Sequence, residues 1–207
     1  MRSALFRSPR LAAVYVAAVM TLAPLVVVEG ASSAVAPASA ASASASAKKG
    51  CVKSGKKFRP TALGIPGISK RRRVLALGRD GNNVPKAPPL SDAGKRQFAW
   101  DAKDAIKAGA KHGVIKLNAH TYPDGSAIGN DLINKLYAGN RLVVRGDRGQ
   151  QRCYEVVDRV QIPAEKRYRR YYRTDGPGRL AIAVCSGVRR GPGNWSHRTI
   201  WFAKQVR

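Results

Sequence analysis

From about Phe58 onward, short apolar runs alternate with turn residues, a pattern that restricts this part of the chain to a mostly β domain of roughly 150 residues. "TALGIPGI" and "RRVLALG" read as strands, with "RDGNNVPKAPPL" as the turns and loop that follow. "GVIKLNAH", Gly113 to His120, is a further strand that leaves His120 at its end, entering the loop "PDGSAIGN". Asn130 is placed to cap a short helix "DLINKLY" closed by Gly139. The best hairpin signal is "RLVVRGDRGQQRCYEVVDRVQIP", in which "RGDRG" turns between two runs. Tyr154, Val156, Val160 and Ile162 then share one face, broken only by Asp158. The chain closes as a strand, Leu180 to Cys185, a glycine-rich loop "SGVRRGPGNWSH", and a last strand "RTIWFAKQV". One segment departs from the pattern. Phe98, Ala102, Ile106 and Ala110 stand at helical spacing among strong helix formers, and predict a helix from about Lys95 to Lys111.

The chain begins with a basic tail, residues 1–10, holding Arg2, Arg7 and Arg10. Leu11 to Val28 follow, 18 residues without a charge, at the boundary between a signal-peptide core and a short spanning helix. Arginines ahead of such a segment stay in the cytoplasm, which sends everything after Glu29 outside. "ASA" at Ala38 to Ala40 suits a signal peptidase but lies well past the apolar core, so an uncleaved anchor is the expectation and secretion after cleavage the alternative. Residues 29–57 are a stalk and arm. Their Ala/Ser-rich stretch has nothing large enough to bury, so burial cannot offset the entropy of ordering it.

Lys and Arg number 38 against 12 Asp and Glu, a net charge of +26, of which residues 48–207 hold +24. A field of that sign draws anionic partners, which outside a membrane means lipid headgroups or wall polymers rather than a nucleic-acid target. "KRYRRYYR", Lys166 to Arg173, interleaves aromatics with cations and reads there as a solvated loop or a substrate or wall contact. "GVRRGPGN" lacks the Gly-Lys-Ser/Thr ending of a phosphate loop and implies no nucleotide.

Three cysteines in an oxidising compartment leave one over. Cys51 in the arm and Cys153 in a strand are the expected pair and Cys185 the free thiol, although the sequence leaves the connectivity open. A thiol attacks as thiolate and needs a cation or base beside it. Of His112, His120 and His197, only His120 ends a strand with no large apolar neighbours, which makes it the acid/base candidate. His197 and Arg198 are adjacent on the last strand, where successive side chains point to opposite faces, so only one of them can face Cys185. Arg198 would supply a fixed charge and an oxyanion donor; His197 would give a Cys/His dyad.

The chain resembles the sortases, cysteine transpeptidases of Gram-positive surfaces, and specifically their class F type. The resemblance covers about Phe58 to Arg207. It rests on "LNAHTYPDGSAIGN" with His120, "RLAIAVCSG" with Cys185 65 residues later, and "HRTIWFA" with Arg198 a further 13 on. Val184 stands where the family usually has a threonine before the cysteine. The resemblance implies an eight-stranded β-barrel with a few short helices over residues 58–207, in which the stretch around "FAWDAKDAIKAG" is extended or looped rather than helical. It implies a membrane-anchored monomer whose Cys185 attacks a Leu-Pro-x-Thr-Gly-like sorting peptide while Arg198 steadies the oxyanion. His120 then protonates the leaving amine and deprotonates the amine acceptor. No cofactor is implied, and the basic, aromatic Lys166–Arg173 loop is unsuited to the calcium that some members bind. Two other readings stand beside it: a non-catalytic cationic surface-binding domain on the same fold, and a different secreted cysteine peptidase using His197.

Overall fold

The computed structural model describes Cys51 and residues 55–206. The expected basic tail, the apolar segment 11–28 and most of the stalk and arm lie outside the described residues. Among the described residues no helix is long and apolar enough to cross a membrane.

Eight strands form a closed barrel: β1 (Ala62–Ile65), β2 (Ser69–Leu77), β3 (Phe98–Asp101), β4 (Val114–Ala119), β5 (Arg141–Arg145), β6 (Gln151–Pro163), β7 (Arg179–Gly191) and β8 (Asn194–Val206). Around the barrel the order is β1-β2-β3-β4-β7-β8-β6-β5. The β2/β3 and β4/β7 pairs are parallel, and β7 and β8 form a long antiparallel hairpin. Among the described residues three short helices complete the fold: α1 (Asp92–Lys95), α2 (Ile128–Lys135) and α3 (Arg169–Tyr172). The expected mostly β, eight-stranded barrel is therefore the fold observed.

Strict alternation sorts the strands into two faces. Ile115, Leu117 and Ala119 of β4, Leu180, Ile182 and Val184 of β7, and Trp201 and Ala203 of β8 fill the interior. Val114, Ala181, Ile200 and Phe202 point outward and form a second buried cluster, because Tyr171 and its neighbours from the β6–β7 connection cover them. The barrel wall is thus buried on both sides along β4, β7 and β8. Cys51 is joined to Cys153 of β6 by a disulfide, with Cα atoms 5.2 Å apart, which fastens the arm to the barrel.

The helix predicted over Lys95–Lys111 does not form. Phe98–Asp101 are β3 instead, all four buried, paired in parallel with β2 and antiparallel with β4. Ala105 and Gly109 have φ of 50° and 83°, outside any right-handed helix. Phe98, Ala102 and Ile106 still contact the core, so their spacing reported burial correctly and period wrongly. Tertiary pairing overrides helix propensity, and the one helix nearby, α1, precedes the predicted stretch, with Ser91 Oγ accepting from Gly94 N at 3.1 Å. The extended conformation implied by the resemblance is the one adopted.

Three smaller expectations are also corrected. Helix α2 begins at Ile128, so Asn130 lies inside it rather than at its cap; its C-cap is Leu136, and Gly139 instead donates to Val156 O. The shared face of β6 breaks at a bulge between Val156 and Asp158, so Tyr154 and Val156 point into the barrel while Val160 and Ile162 pack on its outside. The glycine-rich "loop" from Ser186 to His197 is largely strand, since β7 and β8 run on to Gly191 and Asn194 with only Pro192 and Gly193 between them.

Outside β3 and β4 lies a buried charge cluster. Lys116 is fully enclosed, with Nζ 2.6 Å from Asp104 and 3.8 Å from Asp101, and Arg79 bridges the same two carboxylates at 2.5 Å each. Burial pushes the Asp104 carboxyl up, but Lys116 and Arg79 outweigh it and hold the group below the usual carboxylate range. Lys116→Ala leaves the two acids sharing Arg79 and is expected to cost about 3 kcal/mol, read as a lower urea midpoint. The contribution of Asp104 is fully present above the ordinary carboxylate range and is lost as pH falls through the lower folded value.

Candidate active site

Cys185 lies on β7, where alternation sends it to the outer face, after Ala181 and Ala183. In the β7–β8 register its Cα partner is Arg198. On the other side β4 runs parallel to β7 and ends with Ala119 opposite Val184, so the next pair of positions is His120 and Cys185. β7 and β8 therefore carry Cys185 and Arg198 side by side on the outer face, and His120, directly after the end of β4, takes the next position beside Cys185. Thr121 reinforces the join, its Oγ1 donating to the Cys185 carbonyl at 2.7 Å.

His120 is held from two directions. Its Nε2 lies 2.6 Å from the Pro88 carbonyl, which can only accept, so the proton is on Nε2 and Nδ1 keeps the lone pair in the neutral ring. Its backbone carbonyl accepts from Gly129 N at 2.9 Å at the start of α2, where a Cβ on Gly129 would come within 2.3 Å of that oxygen. Asn130, one residue on, clamps Tyr122 through both its backbone N–H and its carbonyl, at 3.0 and 2.9 Å. This clasp is the role Asn130 has in place of a cap.

His197 is placed elsewhere. It pairs with Ser186, and its Nδ1 lies 2.7 Å from Ser196 Oγ, on the opposite side of β8 from Arg198. Of the two adjacent candidates, Arg198 is the one beside the thiol. His112 is exposed in a bridge to Pro177, away from this row.

A cleft of about 460 Å³ opens over Cys185 and Arg198. Its floor is Asn118, Ala183, Cys185, Ile200 and Ile162, one wall is formed from Asn82 to Ala87, and the other from Ala164 to Tyr172. The second wall includes the Lys166–Arg173 stretch, expected as a solvated loop or a substrate or wall contact: Lys166, Arg167, Arg169 and Arg173 are exposed, and the segment lines the cleft. It carries α3, and Tyr171 is buried against the barrel with its hydroxyl donating to Asn118 Oδ1 at 2.6 Å. Burial holds the Tyr171 hydroxyl well above its ordinary value, so it stays protonated and keeps donating. Asn118 Nδ2 in turn donates to the Pro85 carbonyl at 2.9 Å, so one side chain ties both walls to β4. Asn118, Thr121 and Tyr171 were not singled out from sequence. The alternation in "NAH" puts Asn118 on the face of His120 and could have found it; nothing in "YRRYY" separates Tyr171 from its neighbours.

Burial pushes the Cys185 thiol above its ordinary value, and Arg198 pulls against that without cancelling it. The resting site therefore holds a neutral thiol at pH 7. Alkylation of Cys185 by iodoacetamide is expected to rise with pH through a midpoint above that of a free thiol, and Arg198→Gln should move the midpoint higher still. Among the described residues no group of acidic, histidine or cysteine side chains could hold a metal ion.

No family model matches the sequence, and no curated protein does. Solved structures do match the fold. Listeria monocytogenes sortase A superposes with a TM-score of 0.50 at 15% identity, over 70% of this chain and 86% of that one. Sortase C-1 of Actinomyces oris gives 0.51 at 20% identity, over 70% and 71%. Sortase C1 of GBS pilus island 1 gives 0.51 at 16%, over 70% of this chain and 63% of that enzyme, a little under two thirds of its length. The barrel is the sortase fold.

Proposed function

We propose that this protein is a surface cysteine transpeptidase of the sortase kind, class F-like, with Cys185 as nucleophile, Arg198 as oxyanion donor and His120 as acid and base. The observation that carries this reading is that Cys185 of β7 and Arg198 of β8 are cross-strand partners lining a cleft large enough for a peptide segment, with His120 directly after β4 in the position beside Cys185. In the first step the Cys185 proton passes to His120 as sulfur attacks the carbonyl of a Leu-Pro-x-Thr-Gly-like sorting peptide. Arg198 donates to the oxyanion, and collapse expels the amine, which takes the proton from His120. The thioester is then attacked by an acceptor amine, a wall precursor or similar, whose proton goes to His120 and back to the departing sulfur. A peptide bond is broken and another made, with no net redox change. The N-terminal apolar segment anchors the domain outside the membrane, where sorted proteins and acceptor meet.

The experiment is cleavage of a quenched peptide panel built on Leu-Pro-x-Thr-Gly, with an added amine, by the full chain and by Cys185→Ala. Turnover by the parent alone, with amine-linked product, is expected. Equal turnover by both, or none across the panel, contradicts the proposal and favours a non-catalytic cationic domain on the same barrel.

A further inference from the structure

Strand β1 stands diametrically across the barrel from β7, four strands away in either direction. The outer face built by β2, β1 and β5 carries Lys70, Arg71, Arg73 and Arg145, and these three strands contain no acidic residue. Several cations elsewhere are paired with acids, as in Arg96–Asp131, Arg170–Asp158, Arg173–Asp175 and Lys204–Glu155. Among the described residues Arg71, Arg73 and Arg145 share no ion pair.

The strand registers bring these charges into one outward-facing row. Arg73 pairs with Ala62, and Ala62 with Arg145, so two arginines flank a small residue on β1. Gly64 continues the small floor, and a Cβ there would lie 2.9 Å from Arg145 Nη1, so the Arg145 guanidinium reaches across β1. That Nη1 is buried without a hydrogen-bond partner. An orphaned guanidinium donor in an acid-free field is a site short of an anion.

The path of the chain says which anion. Val143 of β5 pairs with both Gly64 and Cys153, and Cys153 holds Cys51. The chain is therefore fastened beside this face, with only 22 residues between Cys51 and the apolar run that ends at Val28. We infer that the outer face of β2, β1 and β5 docks on anionic phospholipid headgroups, seating the domain so that the cleft on the opposite wall opens away from the bilayer. This rests on the proposed anchoring by Leu11–Val28. Each arginine brought to an anionic surface contributes roughly fivefold in occupancy at moderate salt, and the effect is screened at high salt.

The full chain is incorporated into nanodiscs of phosphatidylcholine alone or with phosphatidylglycerol, and phenylglyoxal adducts are mapped by mass spectrometry. In the anionic discs the labelling of Arg71 and Arg73 should fall about tenfold relative to the zwitterionic discs and recover in high salt. Arg190, at the far end of β7, should label equally in both and reports any general masking. The triple variant Arg71→Gln, Arg73→Gln, Arg145→Gln should cleave peptide in detergent as the parent does, while Lys70, probed with an acylating reagent, loses its protection in anionic discs. Equal labelling of Arg71 and Arg73 in the two discs overturns the inference. Protection by soluble polyphosphate but not by anionic discs also overturns it, and assigns the face to a polymer. Failure to enter either disc removes the anchor and this inference together, while leaving peptide cleavage in detergent untouched.

Discussion

Cys185→Ala is expected to bring peptide cleavage down to the background of peptide alone, a loss of at least about ten-thousandfold in kcat. Nothing else in the cleft can replace the sulfur. Its lining supplies carbonyl oxygens, tyrosines and cations, but no other thiol, because Cys51 and Cys153 are joined to each other. The flanking residues should show smaller, separable losses. His120→Ala is expected to cost about a hundred- to ten-thousandfold, and Arg198→Ala about a hundred- to a thousandfold. Their signatures differ. Arg198→Ala removes the only influence lowering the Cys185 thiol, so its alkylation midpoint rises; Arg198→Lys keeps charge but loses the guanidinium fork and should recover only part of the rate. His197→Ala should leave the rate within a few-fold of the parent, since His197 pairs with Ser186 away from the thiol. Activity surviving His120→Ala but lost in His197→Ala would move the site.

Removing the disulfide has the largest expected effect on stability. Cys51 and Cys153 are 102 residues apart in sequence, and closing so long a loop restricts the unfolded chain by about 4–5 kcal/mol on the chain-entropy account. The double variant Cys51→Ser, Cys153→Ser should lose about that amount in urea unfolding. Peptide cleavage well below the transition should persist, because β6 meets the cleft at Ile162, at the other end of the strand from Cys153. An unchanged urea midpoint would show that the unfolded chain is already restricted.

What the sequence disclosed follows from how local each signal is. The run Leu180 to Cys185 is a strand in sequence and in structure because its apolar residues are buried on both faces, and no competing periodicity exists. The stretch after Lys95 misled because Phe98, Ala102 and Ile106 do touch one core, yet from β3 and the loop beyond it rather than from a helix face. Only the ladders to β2 and β4, partners distant in sequence, decide between the two. The β6 bulge is hidden for a similar reason, since one extra residue at Val157 reverses which side chains face inward without changing composition. For the candidate site, the order His120, Cys185, Arg198 is legible along the sequence and the strand registers place these residues in neighbouring positions, whereas Asn118, Tyr171 and the Pro88 carbonyl hold their places through contacts across 32 to 53 residues of sequence. Lys116 reads as an ordinary outward lysine in "VIKLNA" until Asp101, Asp104 and Arg79 close over it.

The most direct test of the central claim is intact-mass spectrometry of the full chain mixed with a sorting-type peptide in the absence of acceptor amine. A covalent adduct equal to the N-terminal part of the peptide, released by hydroxylamine and mapped to Cys185, is the predicted result. Cleavage of the peptide with no adduct on Cys185, or an adduct that persists in Cys185→Ala, would contradict it.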